Sequence, residues 1–183
     1  MTIPVERCAG TCFTLFGSAL MRFSPVAAVR VLRAVRAAMT RSDRLLLGLD
    51  LRSTDDRQAQ GAEHREILTA LHRHALTVAN RELGMEFPVP SFQYQCVYDD
   101  VAKRLEEGLA CASRTRVMSP IMEPLILRAG EHLRTAVQHS YGRVMLEPML
   151  RGVGLSLDSW REAADGSHAL ATAVVRAPQE NEP

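Results

Sequence analysis

Apolar positions along this chain change period several times. "RLLLGLDL" (44–51) is close to continuously apolar, four leucines interrupted by one glycine before Asp50, and predicts a strand buried on both faces of a parallel sheet. Ahead of it, "PVAAVRVLRAVRAAM" (25–39) predicts an amphipathic helix, with Val31, Leu32, Val35 and Met39 on one face and Arg30, Arg33 and Arg36 striping a solvated one. Ser24 suits its N-cap, and Pro25 suits a first helical position that has no N–H to lose. "CFTLFGSAL" (12–20) predicts a strand running into a Gly-Ser loop, and the turn "TRSD" completes a strand–helix–parallel strand crossover.

From Arg52 to Glu63 the chain is polar and predicts a loop. A helix is expected over 65–83, stopped by Gly84, followed by the extended link "FPVPSF". Residues 93–120 alternate as strands, "QYQCVYDD", "RLEEGLACAS" and "TRVMSP", and "EPLILRAGEHLRTAV" turns at Ala129-Gly130 into a further strand. A helix over 141–153, interrupted or begun near Pro148, leads into "GLSLDSWREAADGSHALATAVVR", two antiparallel strands turning at Asp165-Gly166. The expected organisation is 1–63, strand–helix–strand plus loop; 64–137, an inserted helix-plus-strands section; 138–177, helix and terminal hairpin; and 178–183, a disordered tail.

Composition narrows this α/β reading without redirecting it. A length of 183 residues, 46% hydrophobic and 23% charged, suits a soluble globular chain. A net charge of +1 predicts no strong pull toward nucleic acid or anionic membrane. No apolar run approaches the ~20 residues that span a bilayer. The apolar stretch near the start lacks a basic leader, so a cytoplasmic location is expected. Lys103 is the only lysine, so amine chemistry could rest on it alone.

Candidate chemistry is sparse. Cys8, Cys12, Cys96 and Cys111 have no C-x-x-C spacing and read as free, partly buried thiols. His72 and His74 fall on opposite sides of the expected helix, with His64 more than two turns earlier, and all three read as surface or loop residues rather than metal ligands. Gly17 and Ser18 follow a strand, although Ser18 sits in no G-x-S-x-G elbow. Asp50 lies at the end of a parallel strand, where α/β sites collect, but also suits a hydrogen bond to the next loop. Arg22 suits either bidentate carboxylate binding or exposure. Asp99-Asp100 and Glu106-Glu107 point to opposite faces within their pairs and read as solvated charges.

Five strings in order resemble one family. They are "FGSALMRFSP" (16–25), "DRLLLGLDL" (43–51), "ANRELGMEF" (79–87), "AGEHLRTAV" (129–137), and "GVGLSLDSW" with "DGSHALATAVVR" near the end. Together they resemble the C-terminal half of the histidine-specific, S-adenosylmethionine-dependent methyltransferases. That resemblance implies a partial Rossmann-like sheet with an inserted α+β substrate section. "CFTLFGSAL" would be its fourth strand and "DRLLLGLDL" its fifth, and methyl transfer by direct displacement would be its chemistry.

The resemblance also implies what is missing. The first three strands, with the Gly-rich turn and ribose-binding acid that hold S-adenosylmethionine, have no counterpart, and no G-x-G-x-x-G string occurs. Family substrate anchors map to Arg22 in place of Asn, to Gly61 or Ala62 in place of Tyr, and to Ala136 and Gln138 in place of Glu and Ser. Each has changed chemical type, which argues against histidine as substrate. The expectation is a divergent family member that methylates an amino-acid-like substrate together with a partner supplying the cofactor half. The alternatives are a non-catalytic relative binding a small molecule or protein, or a remnant frame. The outer strand is expected to be covered by the N-terminal residues, a second copy or a separate chain.

Overall fold

The computed structural model describes residues 10–99, 101–102 and 104–176. The expectations for Cys8, Asp100, Lys103 and the tail 178–183 therefore lie outside the described residues. In chain order the elements are β1 (Cys12–Leu15), α1 (Pro25–Ala38), β2 (Arg44–Asp50), α2 (Thr54–Glu63), α3 (Arg65–Leu83), β3 (Phe92–Asp99), β4 (Arg104–Cys111), β5 (Thr115–Val117), β6 (Leu125–Leu127), β7 (His132–His139), α4 (Arg143–Gly152), β8 (Leu155–Glu162) and β9 (His168–Val175). Short 3-10 turns occupy Ala19–Arg22 and Val89–Ser91. The chain divides into two compact units, residues 1–52 with 139–183, and residues 53–138.

In the first unit the sheet order is β1-β2-β9-β8, with β1 parallel to β2 and β2 antiparallel to β9. The sheet is thus mixed rather than parallel throughout, because the terminal hairpin inserts β9 beside β2. Leu45, Leu47 and Leu49 pair with Ala173, Ala171 and Ala169, and this row is buried beneath Leu32 and Val35 of α1 and Leu146 and Leu150 of α4. Small alanines opposite large leucines let the helices sit close. The other row of β2, Leu46 and Gly48, is only half-buried, so the strand expected to be buried on both faces has one dry face.

The local chemistry that starts each element is legible. Ser24 Oγ accepts from Ala27 N at 3.4 Å ahead of Pro25, capping α1. Arg36 is not part of a solvated stripe: its Nε donates to Gly154 O at 3.1 Å. Asp43 ties the two parallel strands together, accepting from Thr11 N at 2.8 Å, Thr40 N at 2.6 Å and Thr40 Oγ1 at 2.8 Å. β1 ends at Leu15 and runs into the expected Gly-Ser loop, where Gly17 (φ 62°) and Ser18 (φ 58°) form a tight left-handed turn closed by Ala19 N donating to Phe16 O at 3.2 Å. α4 runs through Pro148 instead of breaking there; the carbonyl that loses its helical donor belongs to Val144, a 91% exposed residue.

In the second unit α2 and α3 accompany a β3-β4-β7 sheet and a β5-β6 pair. The expected loop over 52–63 is a helix from Thr54. Ser53 and Asp56 form a reciprocal capping box, with Asp56 N donating to Ser53 Oγ at 3.1 Å and Ser53 N to Asp56 Oδ2 at 3.2 Å. Its buried stripe consists of Arg57 and Gly61, so no apolar periodicity announces it. α3 buries Thr69, His72 and Leu76, and Phe92, Leu109, Val117 and Leu127 complete the core. Asn80 latches the proline link by donating to Phe87 O at 2.9 Å and accepting from Phe87 N at 2.8 Å.

Gly108 has a steric role. A Cβ placed there would lie 2.1 Å from the backbone oxygen of Leu133 in β7, so only glycine lets the two strands pair.

Candidate functional site

Two places gather polar chemistry, one in each unit. In the second unit β3 turns Tyr94 and Cys96 toward the interior row, and β4 places Glu107 opposite Cys96. The Tyr94 hydroxyl donates to Glu107 Oε1 at 3.0 Å, and Gln138 Nε2 donates to Glu107 Oε2 at 2.9 Å. Tyr94 itself is fixed from three sides. Its N–H donates to Thr69 Oγ1 at 3.1 Å, its ring lies 5.0 Å from the His72 ring, and Gly61 leaves room for it, since a Cβ there would stand 3.2 Å from the phenol oxygen. His72 Nδ1 hydrogen-bonds Thr135 Oγ1, which also donates to Glu107 O at 3.3 Å.

Electrostatics follow from this packing. Burial, reinforced by the neighbouring Glu107 carboxylate and Cys96, drives the Tyr94 hydroxyl far above the ordinary phenol range. It remains a donor through the physiological range. Burial also raises the Cys96 thiol, with the Tyr94 hydrogen bond and Arg57 pulling the other way, so the thiol is not activated as a nucleophile. Glu106, on the other side of β4, is held below the usual carboxylate range by Arg134, whose Nη1 donates at 2.7 Å, and by Arg104. The expectation that Glu106 and Glu107 are solvated charges is overturned: the two do face apart, and each is engaged by its own network. His72 is buried rather than a surface residue, while His74 is exposed.

Of the positions carried over from the family, Gly61 and Gln138 converge on the Tyr94–Glu107 pair. Ala62 is exposed, Ala136 is half-buried on β7, and Arg22 ends the first 3-10 turn as an exposed residue. Tyr94 and Glu107 had no motif to mark them. The available signal was the inward row of β3, where Tyr and Cys stand instead of aliphatic residues.

In the first unit Gly17 and Ser18 line a cavity of about 480 Å³ with Gly48, Leu49, Arg161, Glu162, Ala163, His168, Ala169 and Leu170. It sits at the carboxyl ends of β1 and β2, where ligands of open α/β sheets bind. Asp50 does not line it. Its buried carboxylate is gripped by Arg52, which donates from N at 3.0 Å, from Nε at 3.0 Å and from Nη2 at 2.6 Å. Among the described residues no group of three or more His, Cys, Asp or Glu is placed to hold a metal ion, and no helix is long and apolar enough to cross a membrane.

This arrangement, a β1-β2-β9-β8 sheet with its crossover helix, is that of the rear strands of an α/β methyltransferase fold. The chain is similar to the CcbJ methyltransferase from Streptomyces caelestis, with a TM-score of 0.50 at 10% identity, covering 97% of this chain and 61% of that one. A model of the SAM-dependent, histidine-specific methyltransferases matches residues 2–175, and the chain belongs to that family. It is 28% identical over 164 residues to the histidine N-alpha-methyltransferase of Mycobacterium tuberculosis (strain CDC 1551 / Oshkosh), covering 88% of this chain and 51% of the relative. The corresponding protein of Mycolicibacterium smegmatis is 27% identical over 161 residues, covering 86% and 50%. The chain thus spans about half the length of the curated relatives it matches.

Proposed function

We propose that this chain carries the rear strands of a methyltransferase fold and works with a partner that supplies the cofactor-binding half, transferring a methyl group to an amino-acid-like substrate. The observation that carries this reading is the position of β1. Among the described residues it is the outer strand of its sheet, paired in parallel with β2 alone. A parallel edge with unpaired N–H and C=O groups is suited to receiving a further strand. The half-length match to full-size relatives supports a second half borne on another polypeptide or on sequence beyond these residues; a second copy of the chain is the other candidate cover.

The described residues do not fit S-adenosylmethionine by themselves. A ribose needs a carboxylate with free acceptor capacity at a strand end. Asp50, which stands at such an end, has both oxygens engaged by Arg52. No step through the cofactor is derived from this chain.

A second reading, a relative that binds a ligand or protein without catalysis, is favoured by the altered anchors. Tyr94 closes in on Gly61, one of the two positions (with Ala62) at which the family resemblance implies a tyrosine, and Ala136 offers no polar group. The discriminating experiment mixes this chain with the N-terminal half of the M. tuberculosis relative and follows labelled methyl incorporation into a panel of amino acids. The first reading predicts association and incorporation in the mixture alone. Association without incorporation favours the second, and a folded chain that associates with nothing contradicts the first.

A further inference from the structure

We infer that the face of the first unit's sheet turned away from α1 and α4 is a docking surface for a crossover helix of an α/β partner. The inference rests on the reading that a partner supplies the cofactor-binding half, and it says where that half packs.

Both helices of the first unit lie on one side of the sheet. Leu32 and Val35 of α1 and Leu146 and Leu150 of α4 share a core with Leu45, Leu47 and Leu49. The register puts Leu46 and Gly48 of β2, with Leu170, Thr172 and Val174 of β9, in the opposite row. None of these five belongs to either hydrophobic core. Gly48 has no side chain, and the Phe16 ring lies against the strand there, 3.2 Å from where a Cβ would stand. Phe16 is 54% exposed, and Leu170, paired with Gly48, is 41% exposed. The Thr172 hydroxyl is satisfied within the sheet, by Ser159 Oγ at 2.7 Å and Asp158 Oδ2 at 3.2 Å. The centre of the row therefore offers a partner hydrocarbon. Arg44 and Arg161, both exposed, stand in the same row at opposite corners, which suits an apolar helical stripe flanked by carboxylates.

That the occupant is a helix follows from chirality. β1, α1 and β2 make a crossover with α1 on the dry side, and such crossovers are almost always right-handed. Parallel strands added beyond β1 and stepping away from β2 reverse the direction of travel. Their connecting helices then fall on the face opposite α1, and a sheet wound in both directions is covered on both faces. The edge is oriented to receive such strands. Thr11 O accepts from Arg44 N at 3.0 Å, so by alternation Cys12 and Thr14 direct their backbone groups away from β2. The M. tuberculosis relative carries enough chain for this, since the match covers 51% of it and the remainder lies outside.

The test is sedimentation of the 183-residue chain mixed with the N-terminal half of that relative. F16D and L170D are compared with I67D and L71D, which put the same charge on α3 of the second unit at positions 71% and 64% exposed. The expected result is association of the parent, weakened at least tenfold by F16D and by L170D and unchanged by the α3 variants, with native circular dichroism throughout. Amide exchange at Cys12 and Thr14 should slow at least tenfold in the parent complex. Association that F16D and L170D leave unchanged, or that all four variants weaken alike, overturns this inference and leaves the two-chain reading standing. Association lost in F16D and L170D, with no methyl incorporation by the parent complex, keeps this surface and fails methyl transfer. A parent that binds nothing, or that pairs with itself through this face, overturns both.

Discussion

Asp43 in the first unit and Glu107 in the second are both shielded carboxylates, yet they hold different things. Asp43 accepts from the backbone of Thr11 and Thr40, so its charge fixes the start of two strands. Glu107 accepts from the side chains of Tyr94 and Gln138. Around Asp43 the interior is hydrocarbon from α1, α4 and the β2–β9 pair. Around Glu107 it contains a phenol, an imidazole and a thiol. The contrast separates a unit whose polar residues build the scaffold from one whose polar residues are arranged side chain to side chain. Loss of a partner should therefore cost the first unit more stability than the second.

The largest effect tests whether the two respond separately. Gly108→Ala drives a methyl into the Leu133 carbonyl and should destabilise the second unit by about 3 kcal/mol. Trp160, the only tryptophan, lies in the first unit, so its fluorescence transition in urea should move less than the circular dichroism transition. Equal shifts in both would break the comparison. Next, Asp43→Ala orphans two backbone N–H groups and should cost about 2–3 kcal/mol, read by Trp160 fluorescence.

A pH limb comes third. Tyr141 is buried, its hydroxyl donates to Phe23 O at 2.7 Å, and burial pushes its pKa up to about 12. A pKa raised in the folded state gives stability that is full below the unfolded value, about 10, and lost as pH climbs through the folded one. Thermal unfolding of the parent should therefore weaken between about pH 10 and 12, and Tyr141→Phe should make that limb shallower, leaving the share that the raised Tyr94 hydroxyl contributes by the same linkage. An unchanged limb would remove Tyr141 from the account. The smallest effect is at the second unit's network. Tyr94→Phe keeps the ring against His72, removes one donor from Glu107 and should cost about 1 kcal/mol. A loss as large as that of Asp43→Ala would make both carboxylates scaffold.

Much of this fold is written locally. Ser24-Pro25 and a 3.6-residue apolar stripe specify α1, and the Ala-Val alternation after Asp165-Gly166 specifies β9. α2 escaped because its buried positions, Arg57 and Gly61, carry no hydropathy signal, although the Ser53–Asp56 capping pair stood in plain sight. The site was less legible for a geometric reason. Glu107 faces Cys96 across the β3–β4 ladder and reaches Tyr94 diagonally, two residues along. Register of that kind follows from which strands pair, and a linear pattern does not contain it. Gly61 and Gln138 were located only through the family resemblance, and their meeting at one phenol–carboxylate pair is a property of the three-dimensional arrangement.

The central proposal is that these residues carry a methyltransferase scaffold that relies on a cofactor-binding half from elsewhere. Calorimetric titration of S-adenosylmethionine into the isolated chain tests it most directly. The account predicts no saturable heat up to millimolar cofactor, with binding appearing once a cofactor-binding half is added. Submillimolar, one-to-one binding by the isolated chain would contradict it.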